Sequence, residues 1–150
     1  DGLCDLVMLD HEGYLALFEL QQLADDWRLA APRRIFESMD EAGDRQPLQL
    51  NAGQAGRSGR RKLSMVDWDR DGRLDLLVNS QNADWLRQLP APAGTASDAG
   101  ESVLLQSQGA MSPKSVQGHS TSPTFVDFDG DGQFELLVGA EDGRMYYLKR

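Results

Sequence analysis

Residues 126–138, VDFDGDGQFELLV, place Asp127, Asp129 and Asp131 at every second position, followed by Gly132, an acid at Glu135 and an apolar run. Carboxylates this close repel one another unless a positive charge lies between them. On an extended backbone alternate side chains point the same way, so the three aspartates can converge on one point. Gly132 permits the sharp turn that brings the Gln133 carbonyl and the Glu135 carboxylate round to that point. An all-oxygen, multiply charged donor set on a flexible loop suits Ca²⁺ better than Mg²⁺ or Zn²⁺.

The same pattern stands at residues 66–78, VDWDRDGRLDLLV, where the donors would be Asp67, Asp69, Asp71, the Arg73 carbonyl and Asp75. A shorter third copy opens the chain: DGLCDLV aligns with DGRLDLL and DGQFELL, which gives Asp1 and Asp5 two of the acidic positions. Metal-free acidic turns are the plain alternative, since Asp and Gly are ordinary turn residues. Recurrence of the whole donor pattern without gaps favours the metal for the two complete copies. An EF-hand is excluded. Its loop needs a bidentate acid at position twelve, where this chain has Val78 and Val138, and a helix must come next. Here the segment after each loop is short and Leu/Val-rich, the signature of a buried strand.

The surrounding sequence reads as strands and turns. Strands are predicted on both sides of a tight turn at His11-Glu12-Gly13, the second over residues 14–20, with His11 exposed. Residues 20–29 accommodate helix as well as strand, and Pro32 limits residues 27–39 to an edge or irregular strand. Residues 40–61 form a long polar loop rich in glycine, ending in the basic cluster Arg57, Arg60, Arg61 and Lys62. Strands are predicted at 62–68, 74–80, 83–89, 102–107, 123–128, 134–139 and 144–149. A turn falls at Gln81-Asn82, and Glu141-Asp142-Gly143 is the clearest hairpin turn. Residues 90–100 read as a low-complexity connector, and 109–122 as a second polar loop carrying His119.

The Asp-Gly pairs at 1, 71 and 131 set a repeat of 70 and then 60 residues. Each unit holds about four short antiparallel strands, the content of one β-propeller blade. The expected fold is all-β, with about two and a half blades in units 1–60, 61–120 and 121–150, too few to close a ring. The chain of 150 residues is long enough for a sizeable core, and 40% hydrophobic with 26% charged residues is ordinary globular composition. A net charge of −9 argues against nucleic-acid binding. The single cysteine, Cys4, excludes an internal disulfide framework and, within an apolar run, is expected in the core. No stretch is long enough to span a membrane, and no signal-peptide pattern stands at the start. Because the chain opens inside a repeat, it is expected to belong to a longer protein, with the remaining blades elsewhere.

At the acidic loops the chain resembles the FG-GAP/VCBS repeat family, whose blades build the propeller of integrin alpha subunits and many secreted bacterial proteins. The family pattern, Asp-x-Asp-x-Asp-Gly-x-x-Asp and then Leu-Leu-Val-Gly, stands at 127–139 with Glu135 in the last ligand position. It stands at 67–79 with Asn79 in place of the glycine. The ending GAEDGRMYYLKR is similar to the hairpin that comes after the loop in VCBS repeats. Residues 21–60 and 90–118 carry the resemblance poorly. It implies that Ca²⁺ pins the turn between two strands of a blade, and an extracellular, cell-surface or periplasmic setting.

No Ser/His/Asp or Cys/His arrangement, zinc motif or phosphate-binding glycine loop is recognisable. The expected function is a calcium-stabilised binding or scaffold module for a protein or glycan. The alternative, by analogy alone, is part of a propeller-type carbohydrate-active enzyme such as a polysaccharide lyase. Arg57, Arg60, Arg61 and His119 precede strands that enter acidic loops in successive units, which would set them on one face of a propeller. They are the candidate surface for an anionic glycan, since Arg forks match carboxylates. The plain alternative is a solvated loop.

Overall fold

The computed structural model describes residues 2–52, 61–80, 83–91, 102–111, 121–140 and 142–149. Every regular element among them is a β-strand, and no helix is long and apolar enough to cross a membrane. The chain divides into two compact units, Asp1–Arg61 with Pro90–Leu104, and Lys62–Leu89 with Leu105–Arg150.

In the first unit β1 (Leu6–Leu9) pairs antiparallel with β2 (Leu15–Phe18), and β3 (Leu20–Leu23) with β4 (Asp26–Leu29). The segment 20–29 is thus a hairpin and not a helix. Its two-residue turn puts Ala24 at φ 54, and Leu23, Trp27 and Leu29 stay about half exposed, so no apolar helical face had to be buried. Residues 40–61 are likewise not one long loop. β5 (Phe36–Met39) turns at 40–44 into β6 (Arg45–Pro47), with Asp40 Oδ1 accepting the Ala42 and Asp44 N–H groups at 2.9 Å each.

The 10–14 turn repeats that geometry with Asp10, whose Oδ1 accepts from Glu12 and Tyr14. His11 is exposed in this turn, as expected. Cys4 is exposed rather than in the core. It lies two residues before β1, outside the strand pairing that buries Leu9 and Leu15.

The second unit is built of two meanders. The first runs β7 (Leu63–Val66), β8 (Asp75–Val78), β9 (Asp84–Gln88) and β10 (Val103–Ala110), all antiparallel. The first two residues of β10 belong to the other unit, where they pair parallel with β5, the one parallel contact among the described strands. The second meander runs β11 (Ser122–Val126), β12 (Glu135–Gly139) and β13 (Met145–Leu148).

Both faces of β8 are buried, as DLLV without polar alternation implies. Asn79, standing where the 127–139 copy has Gly139, is buried at the end of this ladder. Its side-chain oxygen accepts the Lys62 N–H at 3.0 Å and its own N–H donates to the Lys62 carbonyl at 3.0 Å.

One core joins the two meanders: Val66, Trp68, Leu77, Ala83, Leu136 and Val138, with Trp85, Phe125, Phe134, Tyr146 and Leu148 packed around it. In the repeat, Leu136 corresponds to Leu76, not to Leu77. Side chains alternate across a strand, so equivalent strands present opposite faces to this shared core. The front of one meander lies on the back of the next, which is how propeller blades stack.

Leu77 lies at the centre of this contact, with no exposed surface. Leu77→Ala should cost about 2–5 kcal/mol, the range for emptying a buried leucine site. Leu74→Ala, at a residue 53% exposed, should change stability by less than about 0.5 kcal/mol. Urea denaturation of both variants checks the difference.

Candidate metal centres

The 67–75 turn joins β7 to β8, and the 127–135 turn joins β11 to β12. The two share a backbone. Left-handed residues fall at Arg70 (φ 63) and Gly72 (φ 85) in one, and at Gly130 (φ 75) and Gly132 (φ 80) in the other. Glycine takes this conformation freely, whereas Arg70 is held there by the turn around it. Carboxylates on the loop accept its own N–H groups. Asp67 Oδ2 accepts from Gly72 at 3.0 Å, and Asp127 Oδ2 from Gly132 at 3.0 Å. Asp71 Oδ1 accepts from Arg73 at 3.0 Å, and Asp131 Oδ1 from Gln133 at 2.8 Å.

Each turn gathers three acids. Asp67, Asp69 and Asp71 offer oxygens within 4.8 Å of one another, as do Asp127, Asp129 and Glu135. Around a cation held at 2.3–2.6 Å, oxygens on opposite sides stand no more than about 5 Å apart, so both groups are compact enough to share one ion. The donors are hard carboxylate oxygens, with no nitrogen or sulfur among them, which fits Ca²⁺.

The fourth acid separates the two turns. Glu135 is buried, accepts the Phe128 N–H at 2.9 Å through Oε2, and belongs to its cluster. Asp75, one methylene shorter, is fully buried and outside the three-acid group of its turn. Its oxygens accept Gln88 N–H at 2.8 Å and Trp85 Nε1–H at 3.0 Å. Burial pushes the Asp75 carboxyl up, against the pull of those two hydrogen bonds. Asp131, in turn, stands outside the group that includes Glu135. Asp5 repeats the role of Asp75: its Oδ1 accepts the Leu20 N–H at 3.0 Å.

Basic side chains, absent from the sequence expectations, neutralise these turns. Arg87 of β9 places Nε 2.5 Å from Asp69 Oδ2 and a terminal nitrogen 3.0 Å from Asp71 Oδ2, while Arg73 also pairs with Asp71. Lys149 pairs with Asp129. Burial raises the Asp71 carboxyl but is outweighed by the Arg73 N–H and the Arg87 guanidinium, and the net shift is downward. The Lys149 ammonium, through its hydrogen bond, holds Asp129 below the usual carboxylate range. The gap-free repeat alignment hides their equivalence, because the two hairpins differ in register by two residues and Arg87 then falls against Tyr147.

Of the candidate ligand surface, Arg61 is described, and its Nε donates to the Leu50 carbonyl at 2.8 Å. Arg57, Arg60 and His119 lie outside the described residues, as do Asp1, the 81–82 turn and most of the 90–100 connector.

Asp75→Ala should remove a fully buried acceptor, leave the part-buried Trp85 and Gln88 donors unpaired and cost about 1–3 kcal/mol. That loss should persist at saturating calcium. Chemical denaturation with and without the metal measures it; a loss that vanishes with calcium would instead make Asp75 a ligand.

No curated protein and no solved structure matches this chain significantly. Residues 67–138, from the first aspartate of one turn to the end of the apolar run after the next, match the family model described as FG-GAP-like repeat. Residues 67–138 are thus similar to an FG-GAP-like repeat, and the structure builds them as propeller-type β-strands around two acidic turns.

Proposed function

We propose that this chain is a calcium-stabilised set of propeller blades that works outside the cytoplasm as a binding or scaffold module. The observation that carries the reading is the pair of three-carboxylate groups, each within 4.8 Å, on matching turns of successive meanders. Bound calcium would replace mutual repulsion with a shared positive centre and so fix the turn between the first two strands of each blade. Asp67, Asp69 and Asp71 would hold one ion, and Asp127, Asp129 and Glu135 the other. The Arg73 and Gln133 carbonyls complete the expected donor pattern. Oxygen sites of the extracellular class bind at about 10⁻⁴–10⁻³ M, so they fill where calcium is millimolar and empty in the cytosol.

Calorimetric titration of metal-stripped protein should show two sites that prefer Ca²⁺ to Mg²⁺. Asp69→Ala and Asp129→Ala should each delete one site and spare the other. Absence of both heat and a thermal shift with calcium would refute the reading.

The proposed partner is a protein or an anionic glycan recognised through Arg57, Arg60, Arg61 and His119. Support comes from their equivalent sequence positions in successive units and from a basic cluster in a chain of net charge −9. A glycan array with calcium-loaded wild type and an Arg57/Arg60/Arg61→Ala variant should show binding lost in the variant and weakened by salt. Exposed charge contacts are screened over about 8–10 Å at 0.10–0.15 M. Equal binding by the two proteins would overturn this surface.

A further inference from the structure

We infer that Arg87 and Lys149 are built-in competitors for the two metal sites, each occupying part of the place of the ion and giving way when it binds. The inference rests on the calcium reading above. It draws on strand register as well as on the ion pairs. Leu76 pairs with Leu86 across β8–β9, and Leu136 pairs with Leu148 across β12–β13. Leu76 and Leu136 are equivalent in the repeat, so Arg87 and Lys149, each one residue further on, hold the same position in successive blades. The first hairpin tests the rule. Leu6 pairs with Phe18 there, so the equivalent residue is Glu19, an acid paired with Arg33 at 3.3 Å. The cation is therefore not a requirement of the strand pairing. It stands where the three-acid groups stand.

The carboxylate oxygens these cations use are those an ion would need. Arg87 occupies Asp69 Oδ2 and Asp71 Oδ2, two of the three acids of its turn. Lys149 occupies Asp129 Oδ2 in the other. Arg87 fits imperfectly: its Nε is buried and close to Asp69, yet makes no well-aligned hydrogen bond. A small ion between the acids satisfies all of them at once, whereas the planar fork does not.

Both cations can leave. The Arg87 side chain is 36% exposed and Lys149 58%, so each has solvent to move into. Binding is thus an exchange of cations, and the tethered one lowers apparent affinity by the fraction of time it holds the site. A guanidinium on two acids, reinforced by Arg73, competes harder than one exposed ammonium. The 127–135 turn should therefore bind calcium more tightly than the 67–75 turn.

The test is calorimetric titration of metal-stripped full-chain protein with CaCl₂. Arg87→Gln in an Asp129→Ala background isolates the first site, and Lys149→Gln in an Asp69→Ala background the second. Compared with the same backgrounds alone, affinity should rise about tenfold for Arg87→Gln and about threefold for Lys149→Gln, as the loss of partly exposed ion pairs implies. Arg70→Gln removes the same charge from an exposed residue of the loop and should shift affinity less than about twofold.

Thermal midpoints give a second readout. In chelator Arg87→Gln should melt below wild type, and saturating calcium should close the gap. Should Arg87→Gln fail to fold without metal, Arg87→Lys keeps the charge, loses the fork, and should bind with intermediate affinity. Unchanged affinities in Arg87→Gln and Lys149→Gln, or an equal gain in Arg70→Gln, would overturn the competition while leaving the calcium sites standing. Loss of metal binding in every protein, wild type included, would overturn the calcium reading itself.

Discussion

Like charge confined to a tight turn is the constraint on which the second unit depends. Each of its two acidic turns gathers three carboxylates within 4.8 Å and must still deliver a buried strand, β8 or β12, into the core. The turn meets this demand partly from its own backbone, whose N–H groups donate to Asp67, Asp71, Asp127 and Asp131. The rest comes from basic side chains: Arg73 within the first turn, and Arg87 and Lys149 on or just beyond the third strand of each meander. The acids thus tie the first, second and third strands together, because Arg87 and Lys149 reach them from across the hairpin.

Polar and apolar requirements meet at the acid that begins each second strand. Asp75 and Glu135 are both buried and both sit at the first residue of a strand whose next residues fill the core. Asp75 commits its oxygens to Trp85 and Gln88, closing the β8–β9 side of the hairpin and orienting a tryptophan that packs on the shared core. Glu135 accepts from Phe128 in the turn itself. One methylene separates a hairpin brace from a member of the acidic group. The same repeat position therefore braces the hairpin in one blade and joins the acidic group in the next.

Stacking comes from parity. The runs DLLV and ELLVG have no polar alternation, so both faces must be covered. One core takes Leu77 from β8 but Leu136 and Val138 from β12, residues of opposite face in the repeat. This front-to-back contact lets identical units add in series, each burying the face its predecessor leaves open.

The sequence by itself determined the repeat, the all-β class, the acidic turns and nearly all strands of the second unit, because these rest on local spacing. Alternate acids, glycine at a left-handed position and short apolar runs act within a few residues of one another. The hairpin at 20–29 and the β5–β6 hairpin were not legible. The first keeps Leu23, Trp27 and Leu29 half exposed, so its pattern carries no clear period, and the turn of the second was hidden within a polar stretch. Cys4 looked like a core residue from its apolar neighbours, but exposure is set by which strands pair beyond it. Only the tertiary structure decided that Arg87 and Lys149 meet the acidic turns and that Asp75 braces Trp85. Those contacts span 10 to 20 residues and depend on hairpin register, which differs by two residues between the β8–β9 and β12–β13 hairpins.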